Sequence, residues 1–153
     1  MRLRVRGAYA PNRKEIHDRV RAEAGNRCIR CGHPNETVTM RVGCDERCTH
    51  PPDGKQRILT VHHLDGDKGN NRWWNTLALC QSCHLSVQGR VIPERPWLFE
   101  HTGWFVPYVC GFYAWYYAEV EITRAEAIRE TGRWLLMGQP WREELRRKAD
   151  GAA

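Results

Sequence analysis

Residues that can hold a metal or move a proton crowd one stretch of the chain, Val61 to His84, which reads VHHLDGDKGNNRWWNTLALCQSCH. It contains a histidine pair, His62-His63, an asparagine twelve residues beyond His63 (Asn75), and a Cys-x-x-Cys-His run made by Cys80, Cys83 and His84. A second knuckle, Cys28-Ile29-Arg30-Cys31, lies upstream, with 48 residues between Cys31 and Cys80. Zinc favours four soft ligands in a tetrahedron, and a Cys-x-x-Cys turn supplies two of them with little strain. The two knuckles therefore predict one four-thiolate structural zinc on Cys28, Cys31, Cys80 and Cys83. Such a zinc would hold the segment of the histidine pair against the segment of Asn75. A zinc ribbon without catalysis would satisfy the cysteines equally well.

The histidines add further chemistry. Phosphodiester hydrolysis needs a water made nucleophilic, a divalent ion on the scissile phosphate and help for the leaving oxygen. Imidazole titrates near neutrality and so serves either as base or as metal ligand. Adjacent residues on a strand point to opposite faces. His62 and His63 can therefore divide a metal role and a base role only at a strand end or a kink, which the loop beginning at Leu64 provides. The plain alternative is a pair of buried or zinc-binding imidazoles.

Taken together, Cys28/Cys31, His62-His63-Leu64-Asp65, Asn75-Thr76-Leu77 and Cys80-Gln81-Ser82-Cys83-His84 resemble the HNH endonuclease family, the ββα-metal (His-Me finger) nucleases. The spacing of nine from Asn75 to His84 suits that family too. The likeness covers residues 28–84. It implies an α+β fold, a small zinc-stapled ββα-metal core with helical, aromatic-rich flanking segments. It further implies that His63 is the general base and that His62 and His84 hold the catalytic divalent ion. Asn75 would fix the loop and orient His63 by hydrogen bonding, and Asp65 would support the loop first and serve as a metal or outer ligand second. The ion would be Mg²⁺ or Mn²⁺, with Ni²⁺ or Zn²⁺ also suited to imidazole ligands. The partner would be double-stranded DNA, cut to 5′-phosphate and 3′-hydroxyl ends. Small stand-alone proteins of this kind resemble those carried by phages and mobile elements. Two rivals stand beside this reading: a non-catalytic zinc-stabilised DNA-binding module, and an accessory module of a phage packaging or restriction complex.

One departure from the family pattern is the long polar insert between the first knuckle and the histidine pair. It carries Cys44, Cys48 and His50, three clustered ligands that could join His33 in a second zinc site or remain free thiols. Otherwise His33 reads as a knuckle-loop residue. His17 and His101 have no partners in sequence. Cys110, inside an apolar run, reads as a small buried hydrophobe.

The elements that must position these groups follow from local signals. Pro11-Asn12 with Glu15 has capping-box character, and a helix is expected from Arg13 to about Ala24, with Gly25 just past its end. Thr37–Val42 and Arg57–His63 alternate and predict a hairpin. Trp74 to Leu79 leads into the second knuckle, a short helix begins near Gln81, and Trp73 and Trp74 wall or underpin the site. Thr123 with Glu126 forms a capping box that opens a helix to about Met137. Aromatic residues dominate Trp97–Trp141, expected as core packing against the small nuclease module, with base stacking or partner docking as the alternatives.

At 153 residues, 41% hydrophobic and 27% charged, the chain suits a folded domain with extensions. We divide it into a basic arm and helix (1–24), the nuclease core (25–92) and an aromatic-rich helical extension (93–153). No apolar run is long enough for a membrane span, and the basic start lacks the apolar core of a secretory signal. Paired cysteine knuckles in such a chain point to metal binding in a reducing cytoplasm. Nine of the 24 Arg and Lys residues but only three of the 18 Asp and Glu fall within residues 1–30, which therefore carry the whole net charge of +6. Arg2, Arg4 and Arg6 alternate along this segment as an arm suited to phosphate contacts; a solvated terminus is the alternative.

Overall fold

The computed structural model describes residues 8–38, 56–87 and 103–140, and near the C-terminus Glu143, Arg147, Asp150 and Gly151. Arg2, Arg4, Arg6, Cys44, Cys48, His50 and His101 lie outside the described residues. The protein is α+β and divides into two units, residues 1–90 and 91–153.

In the first unit, α1 spans Arg13–Glu23. Its outer face is laced by Lys14–Asp18 and Arg21–Asp18 ion pairs at 2.8 and 2.6 Å, and it buries Ile16 and Val20 one turn apart. The expected capping box does not form: Asn12 makes no side-chain cap bond, because its backbone (φ −92°, ψ 29°) is not extended as a capping residue requires. The other end stops as the sequence predicts. Gly25 takes φ +65°, its N–H bonds Ala22 O at 2.9 Å, and the Asn26 N–H bonds Arg21 O at 2.8 Å, the paired closure of a Schellman turn.

The first knuckle follows at once. Gly32 N–H bonds Cys28 O (2.7 Å) and Cys28 N–H bonds His33 O (2.9 Å), a turn that needs φ +72° at Gly32. Ile29 N–H reaches Ala78 O at 3.0 Å, stitching the knuckle to a later strand. Two short strands, β1 (Thr37–Val38) and β2 (Gln56–Arg57), pair antiparallel with Val38 opposite Gln56. The expected second strand of that hairpin is divided at Ile58, which is 43% exposed. Beyond it, β3 (Leu59–His63) pairs instead with β4 (Thr76–Cys80), placing His62 opposite Leu77 and His63 opposite Thr76. Helix α2 (Gln81–Val87) continues directly from β4.

Every residue of β4 is buried. An alternating strand with one wet face would not read Thr-Leu-Ala-Leu-Cys. The reason is that α1 and α2 each pack on β3 and β4, and the side-chain neighbours below put them on opposite faces. Two covered faces permit an unbroken apolar strand.

The second unit is helical. α3 (Val106–Ala118) buries every residue from Pro107 to Ala114 and ends on Glu119 in the left-handed region, φ 55°. α4 (Arg124–Arg129) opens with the predicted box: Glu126 N–H bonds Thr123 Oγ1 at 3.2 Å, and Thr123 N–H bonds Glu126 Oε2 at 2.7 Å. The single helix expected to Met137 is in fact two, broken at Glu130 (φ −110°), with α5 at Thr131–Met137. Thr131 and Gly132 are both poor helix formers, and the Thr131 hydroxyl bonds back to Ala127 O and Ile128 O, competing with the backbone ladder. α3 packs against α4 and α5, burying Tyr108, Phe112, Tyr113 and Trp134. Cys110 is fully buried, as expected of a small hydrophobe.

Candidate metal centre and histidine site

The two knuckles meet. The sulfurs of Cys28, Cys31, Cys80 and Cys83 all lie within 4.8 Å of one another and are buried. Cys31 Sγ and Cys80 Sγ are 3.9 Å apart, against about 3.8 Å for the edge of a tetrahedron with zinc–sulfur bonds near 2.3 Å. The four sulfurs can therefore hold a metal ion and suit structural zinc. Without a cation the four thiols titrate against one another. Hydrogen bonding with Cys31 holds the Cys28 thiol down to about 6, and hydrogen bonding with Cys28 holds Cys80 below the ordinary thiol range. Hydrogen bonding with Cys28 also pushes Cys31 and Cys83 above that range. Four thiolates in so small a buried volume repel, and a bound cation removes the conflict.

Position in the chain explains the cluster. Cys80 is the last residue of β4 and Cys83 lies in the first turn of α2, so the strand-to-helix join is itself the second knuckle. His33, fully buried, sets its Nδ1 2.8 Å from Pro34 O, which fits a knuckle-loop residue.

Alternation along β3 sends the histidine pair to different faces. On the α2 face, the rings of His62 and His84 stand 4.7 Å apart. Thr60, two residues before His62 on the same face, sets its Oγ1 3.2 Å from Leu79 O and 3.2 Å from His84 Nδ1. The carbonyl can only accept, so the hydroxyl proton goes to Leu79 and the oxygen accepts from His84 Nδ1–H. In the neutral ring this leaves a lone pair on His84 Nε2. Burial, then the charges of His84 and His63, lowers His62 to about 4; burial alone lowers His84. Both rings are therefore neutral at pH 7, the form in which imidazole binds metal.

On the α1 face, His63 is 7% exposed. Its Nε2 lies 3.1 Å from Asn71 Oδ1. Asn71 is oriented by its own Nδ2, which donates to Gly69 O at 3.3 Å, so its oxygen faces His63 and accepts from Nε2–H. His63 Nδ1 is then the free base. The carboxamide that holds His63 is thus that of Asn71, not of Asn75 as the family likeness implied. Asn75 is fully occupied elsewhere. Its Nδ2 donates to Asp65 Oδ1 (2.8 Å) and Asn70 O (2.7 Å), and its Oδ1 accepts from Asp65 N–H (2.9 Å). Asp65 also accepts from Asp67 N–H (2.8 Å) and from Asn70 Nδ2 (2.6 Å). Asp65 and Asn75 thus tie the loop from Leu64 to Asn75 into one hydrogen-bonded unit, the support role read from sequence.

Three residues of the site had no signal. Tyr9, His17 and His63 form a ring cluster with centroids 6.2–6.3 Å apart. His17 arrives there from α1, and only its spacing of four from Arg13 on a helix that covers the sheet would have pointed to it. Asn71, the third, sits in an Asn-Asn dipeptide whose members look interchangeable in sequence. Among the described residues, no helix is long and apolar enough to cross a membrane.

Comparison of the chain with protein-family models, with curated proteins and with solved structures finds no match.

Proposed function

We propose that the chain is a metal-dependent endonuclease of the HNH type, hydrolysing DNA phosphodiester bonds. The observation that carries this reading is the His62–His84 pair. One ring comes from the hairpin and one from the helix that follows it, with 4.7 Å between them. Thr60 fixes the tautomer of His84, and both rings are neutral at working pH. Half-buried imidazoles held neutral and adjacent, with a lone pair presented by one of them, are a ligand pair in search of a cation.

In this proposal His62 and His84 hold a divalent ion, Mg²⁺ or Mn²⁺ first. That ion would supply charge neutralisation at the phosphate and its leaving oxygen. His63, at the end of β3 where the strand gives way to the loop from Leu64, takes the proton of the attacking water at Nδ1, while Asn71 keeps the Nε2 proton in place and stabilises the imidazolium that forms. Asn75 and Asp65 keep the loop that carries Asn71 from shifting. The four-cysteine zinc fixes the strand-to-helix join that sets His84 against His62. The deciding experiment is plasmid nicking with Mg²⁺ or Mn²⁺ by zinc-loaded wild type and by His63→Ala. Cutting by wild type alone is expected; equal inertness of both across Mg²⁺, Mn²⁺, Ni²⁺ and Zn²⁺ would end the enzyme reading.

A second reading, a zinc-stabilised module that binds DNA or serves a larger complex without cutting, has one observation in its favour. His63 has its ring neighbours on α1, while His62 and His84 meet on the α2 face. Tight DNA binding with no nicking under any of those ions is the result that selects it.

A further inference from the structure

Beside His63 lies a group of side chains that the nuclease chemistry does not use. The ring of Tyr9 is 41% exposed. The guanidinium of Arg13 and the ammonium of Lys68 each lie 4.5 Å from its centroid. One cation comes from the start of α1, the other from the loop that carries Asn71. Backbone approach brings them together: a Cβ on Gly69 would lie 3.6 Å from Ala8 O. Both cations are solvent-facing, and neither has a carboxylate partner among the described residues. The nearby acids are engaged: Asp18 holds Lys14 and Arg21, while Asp65 and Asp67 accept backbone N–H groups of their own loop. His17 packs beside both rings, 6.2 Å from Tyr9 and 6.3 Å from His63, and its Nε2 is buried with no hydrogen-bond partner among the described residues. A buried polar atom without a partner is costly and marks a place where a water or ligand atom belongs.

We propose that Tyr9, Arg13, His17 and Lys68 form a phosphate-binding edge next to His63, which grips the DNA backbone alongside the bond to be cut. Two cations held against one aromatic ring, with no carboxylate partner among the described residues, keep their N–H groups available to phosphate oxygens. His17, neutral because burial lowers its pKa, can donate a single uncharged hydrogen bond to an oxygen of the same strand. The edge adds sequence-independent grip, as contacts to phosphate do. It deepens the nuclease reading by placing α1 in the substrate surface, and its test reads binding instead of cutting.

The test is titration of a short mixed-sequence DNA duplex with full-length zinc-loaded protein over a range of salt, without added divalent ion. Arg13→Gln with Lys68→Gln should lower the slope of log affinity against log salt by about 1.8, since each phosphate contact contributes roughly 0.9. Lys14→Gln with Arg19→Gln removes the same charge from the same helix away from the edge, and should leave the slope near that of wild type. His17→Phe keeps a ring but no donor; it should weaken binding roughly fivefold, as loss of one hydrogen bond does, with the slope unchanged. Zinc content and thermal midpoint certify the fold of each variant. An unchanged slope for the Arg13/Lys68 variant, an equal drop in the Lys14/Arg19 control, or unaltered affinity in a folded His17→Phe protein would each overturn the edge. Failure of the nuclease reading looks different: normal binding and slope, with no nicking by wild type.

Discussion

At the scale of single residues, the proposal separates a base from a ligand pair, and the two should respond differently to substitution. His63→Ala removes the proton acceptor and should lower nicking by a factor of about 10² to 10⁴, with zinc content and melting temperature unchanged. His62 makes a second, independent prediction. Its pKa falls from 6.5 to about 4 on folding, so the unfolded chain takes up the proton more readily. The term is absent above about pH 7 and destabilises as pH drops from 6.5 toward 4, at about 1.4 kcal/mol per unit. Urea unfolding without added divalent ion should therefore show wild type losing about 2 kcal/mol more than His62→Gln between pH 6.5 and 4.5; parallel pH profiles would mean that folding does not hold His62 neutral. His62, His63 and His84 were legible as chemistry because they sit within a short stretch with cysteines in register. His17 was not: its contact with His63 reaches a strand more than forty residues away, and no local period encodes it.

At the scale of elements, the join of β4 to α2 carries most of the site. Its sequence announces both the strand and the knuckle, because the same Cys80 ends one and opens the other. Cys80→Ser should abolish the cooperative thermal transition of the first unit, since metal binding contributes folding free energy there directly; a sharp transition in metal-free protein would contradict this. The loop between β3 and β4 depends on one carboxamide. Asn75→Ala strands Asp65 N–H and Asn70 O and should cost about 3 kcal/mol, read as a lowered urea midpoint. Other elements were hidden for identifiable reasons. The partner of β3 could not be read from alternation, because β4 is covered on both faces and does not alternate. The break at Glu130 depends on where the Thr131 hydroxyl bonds, and a capping box only announces a start. In that second unit Gly138 lies against the buried ring of Tyr113, where an added Cβ would overlap ring carbons. Gly138→Ala should destabilise it by about 1–3 kcal/mol, with no effect on metal content.

At the scale of the whole molecule, the first unit is held by a four-cysteine cluster and a hairpin covered on both faces, the second by aromatic helix packing. Composition foretold this difference: six of the seven cysteines fall in the first unit, and the dense aromatic run in the second. The basic surplus at the start of the chain suits the proposed contact with phosphate but carries no geometry in sequence; among described residues, Arg13 is a part of it that stands against Tyr9, whose ring is 6.3 Å from His63. One further property follows from the smallest strands. Val38 and Gln56 face each other across a ladder, so residues 39–55 depart and return at a single rung. Chain inserted at such a point costs little more as it lengthens, only about 0.6 kcal/mol per doubling. That rung is a socket: it would accept a bare Asn-Gly turn or a much larger cargo, letting a lineage or an engineer exchange the insert while the four-cysteine cluster and the histidine pair stay as they are.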